Sequence, residues 1–159
     1  MPSREADNLP ARLAALEDRA AIADVIHAYA WHFDRNEPDA VADLFTQDAR
    51  VDYGPDVPDI HGRAAIRAGV AKGLAEIFAA TSHHVSNIRI VLSGDAARST
   101  CLLYAWHRYR SGAPDGELWA QYHHEFVRTP HGWKIAELVL KAAGSAHFHR
   151  ARMHPIGRL

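Results

Sequence analysis

Residues 83–95, HHVSNIRIVLSGD, mark the point where the chain changes from helical to extended patterning. This stretch ends in a Gly-Asp pair, which is typical of a strand followed by a tight turn. Three more strands are predicted, each separated from the next by a short segment rich in Gly or Pro, over residues 96–110, 117–129 and 133–144. Consecutive long strands joined by short turns predict an antiparallel meander.

The half of the chain before this stretch is patterned as helices. Apolar residues recur there at steps of three and four, which is the period of an amphipathic helix. Helices are predicted over residues 11–33, 38–45 and 63–78, with a short strand at 49–54 and a loop at 54–62 between the second and the third. Pro38 and Asp39 suit the first turn of the second helix, where a missing N–H and a negative charge are both tolerated.

Helices followed by strands predict an α+β fold. We expect a strongly bent antiparallel sheet, with about three helices from the N-terminal half of the chain packed on its concave side. Such a sheet and its helices form a cone with an apolar pocket at the wide end. The length of 159 residues suits one domain. We place that domain at 11–150, after a loose leader at 1–10 and before a C-terminal tail at 151–159.

The composition excludes several classes of partner. Net charge is −1 and the basic residues are scattered, so no nucleic-acid partner is expected. No apolar run approaches the ~18 residues of a membrane span, and the polar N-terminus does not resemble a signal peptide. Cys101 is the single cysteine, which excludes an internal disulfide and suits a reducing compartment. We therefore expect a cytoplasmic protein.

Twelve histidines are unusually many for a chain of this length. Four of them form two adjacent pairs, His83–His84 and His123–His124, each within a predicted strand. Adjacent strand residues point to opposite faces, so only one histidine of each pair can face the pocket. Alternation alone does not decide which one does. A histidine satisfied within the core, or one at the surface, is the ordinary alternative to a catalytic role.

Two further strand faces are predicted to be internal. His107 shares its face with three small or apolar residues, Cys101, Leu103 and Ala105, which places it at the end of a pocket. On the next strand, Tyr122, His124 and Phe126 share a face with Ala120. Tyr122 and His124 are therefore expected to project into the same space.

Asp34 ends the first predicted helix, directly after the apolar Phe33. A carboxylate at the end of a buried helix is unfavourable unless it is paired, although a solvated helix end is the simpler alternative. If Asp34 pairs with a histidine, the carboxylate orients the imidazole, which can then act as a general base. Tyr29 lies one turn earlier, and Tyr53 stands at a strand end, where a phenol can point into a cleft.

Other chemistries find little support in the sequence. The core contains no HxH or HExxH motif, and the close-spaced pair in HFH at 147–149 lies near the C-terminus. There is no GxSxG elbow and no Gly-rich phosphate loop after a strand. Cys101 has apolar neighbours, as an inert core thiol does. We expect neither a metal nor a cofactor.

Five segments together resemble the SnoaL-like group of the NTF2-like superfamily. They are residues 29–54, 61–70, 81–90, 104–110 and 126–135. The resemblance covers nearly the whole chain and is greatest to scytalone dehydratase, bile-acid 7α-dehydratase and hexachlorocyclohexane dehydrochlorinase. It implies the cone-shaped fold. In the lyases of this group, an Asp at the end of the first helix pairs with a His on a central strand, and the His removes a proton next to a leaving group.

The resemblance assigns these two roles to Asp34 and His83, so that His83 points inward and His84 outward. It also implies that Tyr53 helps to hold a water against a substrate carbonyl and that His107 is a second active-site histidine.

More distant matches are carried by three further residues. Tyr122 falls where scytalone dehydratase has a pocket Asn, and Tyr29 and Arg150 fall near positions used by the bile-acid enzyme. Phe33 stands where scytalone dehydratase has a Tyr. Because Phe33 and Tyr122 both depart from that enzyme, a different substrate is expected.

These observations predict a cofactor-free lyase that carries out a dehydratase-type elimination on a hydrophobic aromatic or polycyclic small molecule. The predicted catalytic residues are Asp34, His83, Tyr53 and His107. The predicted substrate-binding residues are Tyr29, Trp31, Phe33, Tyr122, His124, Phe126 and Arg150, with Trp106 as a further wall candidate. The segment at 146–155 either closes the pocket mouth or forms a mobile basic tail.

The sequence leaves other functions open. An isomerase, a cyclase or a hydrolase can use the same pocket, and a ligand-binding protein or a non-catalytic subunit can share the fold. A non-catalytic subunit would have a filled apolar cone and no contact between Asp34 and His83. Since members of the superfamily associate through the convex face of the sheet, we expect a homodimer or a homotrimer.

Overall fold

Four long strands in the second half of the chain and three helices in the first half make up most of the structure, a computed structural model that describes residues 8–157. The helices are α1 (Leu9–Asp34), α2 (Pro38–Asp43) and α3 (Arg63–Lys72). The strands are β1 (Phe45–Asp52), β2 (Ile60–His61), β3 (Phe78–Ser93), β4 (Ala96–Tyr109), β5 (Gly116–Thr129), β6 (Gly132–Ala146) and β7 (His154–Pro155).

The strands form one strongly curved, open sheet in the order β2-β1-β6-β5-β4-β3, with β7 beside β6. The predicted meander is confirmed, because β3, β4, β5 and β6 pair with their sequence neighbours in antiparallel fashion. β1 instead runs parallel to β6. With the helices on the concave side, this arrangement confirms the predicted α+β class.

The predicted boundaries are wrong at two places. The third helix was expected to reach Phe78, but α3 ends at Lys72, a π-helical turn follows over Gly73–Ile77, and Phe78 already begins β3. Phe78 pairs with Tyr109 across the sheet, so strand pairing overrides the local four-residue spacing. The second helix was expected to reach residue 45, but β1 starts at Phe45, earlier than the predicted strand.

The core lies between α1 and the concave face of the sheet. Ile22 and Ile26 of α1 are fully buried against it, together with Phe45, Ile135 and Leu138. The faces predicted to be internal on β4 and β5 are buried, as expected. Because successive side chains of a strand point to opposite faces, each strand directs every second side chain into the cone.

The convex face carries the other half of the alternation, including the exposed Leu102 and Trp119. Among the described helices, none is both long and apolar enough to cross a membrane. Most of the predicted leader lies outside the described residues, and Leu9 and Pro10 already belong to α1. Within the predicted tail, His154 and Pro155 form β7, while 158–159 lie outside the described residues.

Candidate active site

Asp34 and His83 meet where the end of α1 crosses the start of β3. Nδ1 of His83 lies 2.6 Å from Oδ1 of Asp34, and the backbone N–H of His83 donates to Oδ2 at 2.7 Å. Thr81 donates its hydroxyl to Oδ1, also at 2.7 Å. The carboxylate thus accepts three hydrogen bonds from two residues of one strand. An ionised carboxylate only accepts, so this contact requires the proton of the imidazole to be on Nδ1.

These bonds fix the charge state of the carboxylate. Burial alone raises the pKa of Asp34, but the hydrogen bonds from His83 and Thr81 more than offset it and hold that pKa below its ordinary value. Asp34 is therefore ionised at neutral pH. The side chain of His83 is only 5% exposed, and the ring of Phe33 packs edge-on against it at 4.9 Å between centroids.

A cavity of about 220 Å³ opens beside this pair. Its wall is mostly apolar and includes His83, whereas Asp34 is not among the lining residues described. The carboxylate therefore lies behind the imidazole, and Nε2 is the ring nitrogen left for the cavity. This is the arrangement of an oriented base facing a mostly apolar cavity.

Three tyrosines form another part of the lining. The hydroxyls of Tyr29 and Tyr53 are 2.6 Å apart, and the ring of Tyr122 stands edge-on to that of Tyr29. Burial raises the pKa of all three phenols, and the neighbouring phenols raise those of Tyr29 and Tyr122 further. They stay protonated and can donate hydrogen bonds to a substrate oxygen.

His107 lies 5.4 Å from His83 between ring centroids and is itself buried. Burial, assisted by the neighbouring His83, lowers the pKa of His107 to about 3. Its imidazole is therefore neutral and cannot serve as a standing acid at neutral pH. Its Nδ1 is buried and has no hydrogen-bond partner among the described residues.

The chain beyond β6 supplies a further part of the wall. Phe148, His149 and Arg150 line the cavity. Arg150 donates to the backbone carbonyl of Tyr53 at 2.8 Å, with its guanidinium 5.0 Å from the centroid of the Tyr53 ring. Burial lowers the pKa of Arg150. Arg150 has further N–H donors to offer to the cavity.

This C-terminal segment is tied down at three points. Tyr109 donates its hydroxyl to the carbonyl of His147 and accepts from the N–H of His149, each at 3.1 Å. Gly116 makes room for that hydroxyl, since a Cβ there would lie 2.0 Å from it. Arg152 pairs with Asp56, and His154 with Asp52. The segment therefore holds a fixed place beside the cavity.

Four predicted wall residues lie elsewhere. Trp31 is 63% exposed on α1, and its ring contacts Arg35 rather than the cavity. Trp106 is opposite Ser82 in the ladder, on the convex side, and contacts Arg108. His124 and Phe126 face inward but pack together in the core and do not line the cavity. Sequence alternation gave their direction along the strand but not their depth in the cone.

Two residues of the site, Thr81 and His149, were not predicted from the sequence. Thr81 lies two residues before His83, on the same strand face, and a polar β-branched residue at that spacing was the available signal. His149 lines the cavity, and its alternation with His147 in HFH was noted only as a metal pattern. Burial lowers the pKa of His149 to about 4, so it too is neutral. Within 8–157, no three His, Cys, Asp or Glu side chains are grouped as a metal site.

Comparison with known proteins gives this geometry a family. The profile described as a SnoaL-like domain matches residues 14–139. The chain belongs to the SnoaL-like family. An uncharacterized protein of Mycobacterium tuberculosis is 29% identical over 131 residues, which cover 80% of this chain and 86% of that protein.

Solved structures share the fold. A Novosphingobium aromaticivorans protein named provisionally as a scytalone dehydratase is 34% identical, with a TM-score of 0.85, over 91% of this chain and 97% of that one. A second protein of that bacterium, named provisionally as an aromatic ring hydroxylase, is 28% identical with a TM-score of 0.77 over 82% and 93%. A hexachlorocyclohexane dehydrochlorinase, 20% identical with a TM-score of 0.79 over 92% and 99%, shares the NTF2-like fold. The names differ in reaction, so the family does not by itself select one.

Proposed function

We propose that this SnoaL-like protein is a cofactor-independent lyase that removes water from a small hydrophobic substrate. The observation that carries the proposal is the Asp34–His83 pair, with an ionised carboxylate behind an imidazole that faces an apolar cavity. Such a pair supplies an oriented base and stabilises the imidazolium that forms. The same contact disfavours a purely structural role for the cone.

In the proposed reaction, Nε2 of His83 takes a proton from a substrate carbon. The electron pair of the broken C–H bond becomes the new double bond, and the hydroxyl on the neighbouring carbon is expelled. The imidazolium returns its proton to that hydroxyl, which leaves as water. Atoms and charges balance without any added reactant.

The tyrosines and Arg150 of the cavity wall stabilise the developing negative charge. A carbonyl oxygen adjacent to the acidic C–H can accept from the protonated phenols of Tyr53 and Tyr122, and from Arg150. Donors fixed in a water-poor site stabilise an enolate strongly, because they need no rearrangement as charge builds. His107, held neutral, offers a further contact to the leaving oxygen.

The size of the cavity narrows the substrate. An apolar cavity of roughly 150 Å³ is enough to hold benzene. A cavity of about 220 Å³ then suits a molecule with one ring or two small fused rings. We therefore propose an aromatic or alicyclic β-hydroxy carbonyl compound of that size, rather than a larger polycyclic one.

The test is a screen of β-hydroxy ketones and acids of one or two rings, with loss of water followed by mass spectrometry. We expect wild-type turnover without added metal, and roughly 10²–10⁴-fold slower turnover in His83→Gln. The matched control is His84→Gln, the outward neighbour, which should keep wild-type activity. Equal activity of His83→Gln and wild type would refute the mechanism. Deuterium incorporation from solvent without loss of water would indicate an isomerase instead.

A further inference from the structure

Arg150 is a half-buried arginine that has no acidic partner among the described residues. Within that part of the chain, every other arginine either lies within ion-pair distance of an Asp or Glu oxygen or is exposed to solvent. A cation withdrawn from water is unfavourable unless an anion accompanies it. Arg150 therefore brings to the cavity a positive charge that lacks a direct counter-ion.

The lining of the cavity supplies no anion that could balance this charge. No Asp or Glu is among the described residues that line it. Lys72, the other strongly basic residue of the lining, is exposed and lies 4.0 Å from Glu76. Because the phenols of the lining stay protonated, they donate hydrogen bonds but carry no charge.

The carboxylates near the cavity have other partners. Asp56, whose charge acts on Arg150, is bonded to the backbone N–H and the guanidinium of Arg152. Asp34 is bonded to the imidazole and the backbone N–H of His83, which lies between it and the cavity. Neither carboxylate forms an ion pair with Arg150, so the place of a direct counter-ion is left to a bound molecule.

The guanidinium of Arg150 is held in place with donors to spare. Its Nη1 donates to the backbone carbonyl of Tyr53 at 2.8 Å, and no other hydrogen bond joins it to a described residue. The Tyr53 ring lies 5.0 Å away, and Arg152 ties the following part of the segment to Asp56. The planar fork of a guanidinium matches the two oxygens of a carboxylate. A fixed guanidinium binds such a group with little loss of side-chain entropy.

We infer that the substrate carries a carboxylate, which pairs with Arg150 while the ring of the substrate lies against the apolar wall. The inference rests on the proposed function, because it adds a second group to the same substrate. The carboxylate is distinct from the activating carbonyl, since a C–H beside a ketone is far more acidic than one beside a carboxylate. Arg150 has N–H donors enough for both groups.

Charge and size favour a carboxylate over a phosphate. Arg150 offers one positive charge, whereas a phosphate monoester carries more than one negative charge at neutral pH. The cavity of about 220 Å³ must also hold the ring of the substrate, and a carboxylate is the smaller group. The substrate class is therefore a one-ring β-hydroxy ketone with a separate carboxylate.

Isothermal titration with benzoate and benzamide tests the inference, because the two probes share a shape and differ in charge. At pH 7 we expect the wild type to bind benzoate roughly 10- to 100-fold more tightly than benzamide. Arg150→Met should abolish this preference, and Arg150→Lys, which keeps the charge but not the fork, should retain part of it. The matched control is Arg89→Gln, which removes an exposed charge away from the cavity and should keep the wild-type preference. Circular dichroism verifies that each variant is folded.

Three results would overturn the inference. They are equal affinity of the wild type for the two probes, no binding of benzoate at millimolar concentrations, and a benzoate preference that survives in Arg150→Met. The last result, combined with loss of the preference in His83→Gln, would place the anion on the imidazole instead.

The probes carry no leaving hydroxyl, so this test is independent of the elimination. A benzoate preference that depends on Arg150, without turnover of any β-hydroxy ketone, would support the carboxylate and count against the lyase. Equal turnover of neutral β-hydroxy ketones by the wild type and Arg150→Met, without a benzoate preference, would support the lyase and refute the carboxylate.

Discussion

His83 and His124 occupy comparable positions with very different surroundings. Each is the member of an adjacent histidine pair that turns into the cone, and each is almost fully buried. His83 is bonded to a carboxylate and borders the cavity. His124 is bonded to the hydroxyl of Ser99 at 2.9 Å, lies between the rings of Tyr122 and Phe126, and does not line the cavity beside His83. Residue type and strand direction are the same, so partner and access account for the proposed difference in role.

The charge state of each imidazole follows from its hydrogen-bond partner. Burial lowers the pKa of His124 to about 3, and no carboxylate opposes that effect. Its Nε2 has no partner among the described residues. His124 is therefore a neutral core residue, while His83 has a carboxylate to stabilise a positive charge if it takes a proton.

The largest expected effect is a loss of activity when the carboxylate partner of His83 is removed, compared with removal of the hydroxyl partner of His124. Asp34→Asn should lower kcat/KM by roughly 10²–10⁴-fold on the substrate found by the screen, since an amide neither fixes the Nδ1–H tautomer nor stabilises an imidazolium. Ser99→Ala, the corresponding change beside His124, should leave kcat/KM at the wild-type value. If the two variants lose activity alike, the hydrogen-bond partner and the contact with the cavity do not account for different roles of His83 and His124.

The second effect is on stability in acid. Below its ordinary pKa of 6.5 the unfolded chain protonates His124, whereas the folded chain does not until about pH 3. The contribution of the neutral His124 imidazole to the free energy of unfolding is therefore fully present above pH 6.5 and is lost as pH falls toward 3. At pH 5 the loss is about 2 kcal/mol. Urea unfolding at pH 7 and pH 5 should show a smaller loss for His124→Phe than for wild type. Parallel losses in the two proteins would contradict the assignment of a neutral buried imidazole.

A smaller effect is expected from the hydrogen bond of His124. Ser99→Ala leaves the ring without its described side-chain partner, which should lower the free energy of unfolding by about 1 kcal/mol at pH 7. Ser99→Thr, which keeps a hydroxyl, is the control for the loss of the bond. A chemical-denaturation midpoint unchanged in Ser99→Ala would show that the bond contributes nothing.

The smallest effect concerns a residue outside both sites. Trp31→Ala should change the activity on any substrate by less than a factor of about two, because the ring lies on the outside of α1. Phe33→Ala, two residues along the same helix, removes the ring that packs on His83 and should reduce activity clearly. Equal losses in both variants would place Trp31 in the cavity after all.

Local pattern was enough for much of this architecture. Alternation predicted the internal faces of β4 and β5, and helical spacing predicted α1 almost to its ends. Local pattern could not predict pairing between distant segments. Partners far along the chain determine the parallel contact of β1 with β6 and the start of β3 at Phe78.

The candidate site shows the same division. Alternation established that only one of His83 and His84 could face inward, and the family resemblance selected His83. The prediction that Trp31 and Trp106 line the cavity was wrong, because large apolar rings occur on either face of a strand or helix. The depth at which His124 lies was also beyond the sequence, since it depends on the curvature of the whole sheet.

The base and the far wall of the cavity come from separate parts of the chain. Asp34 and His83 belong to α1 and β3, whereas Phe148, His149 and Arg150 belong to a segment held by Tyr109 and by its contacts with Asp52 and Asp56. Exchanging that segment between relatives would alter the shape and charge offered to a substrate while leaving the base in place. Directed evolution of new substrate ranges can therefore concentrate on about ten C-terminal positions, and a purification tag is better attached to the other end.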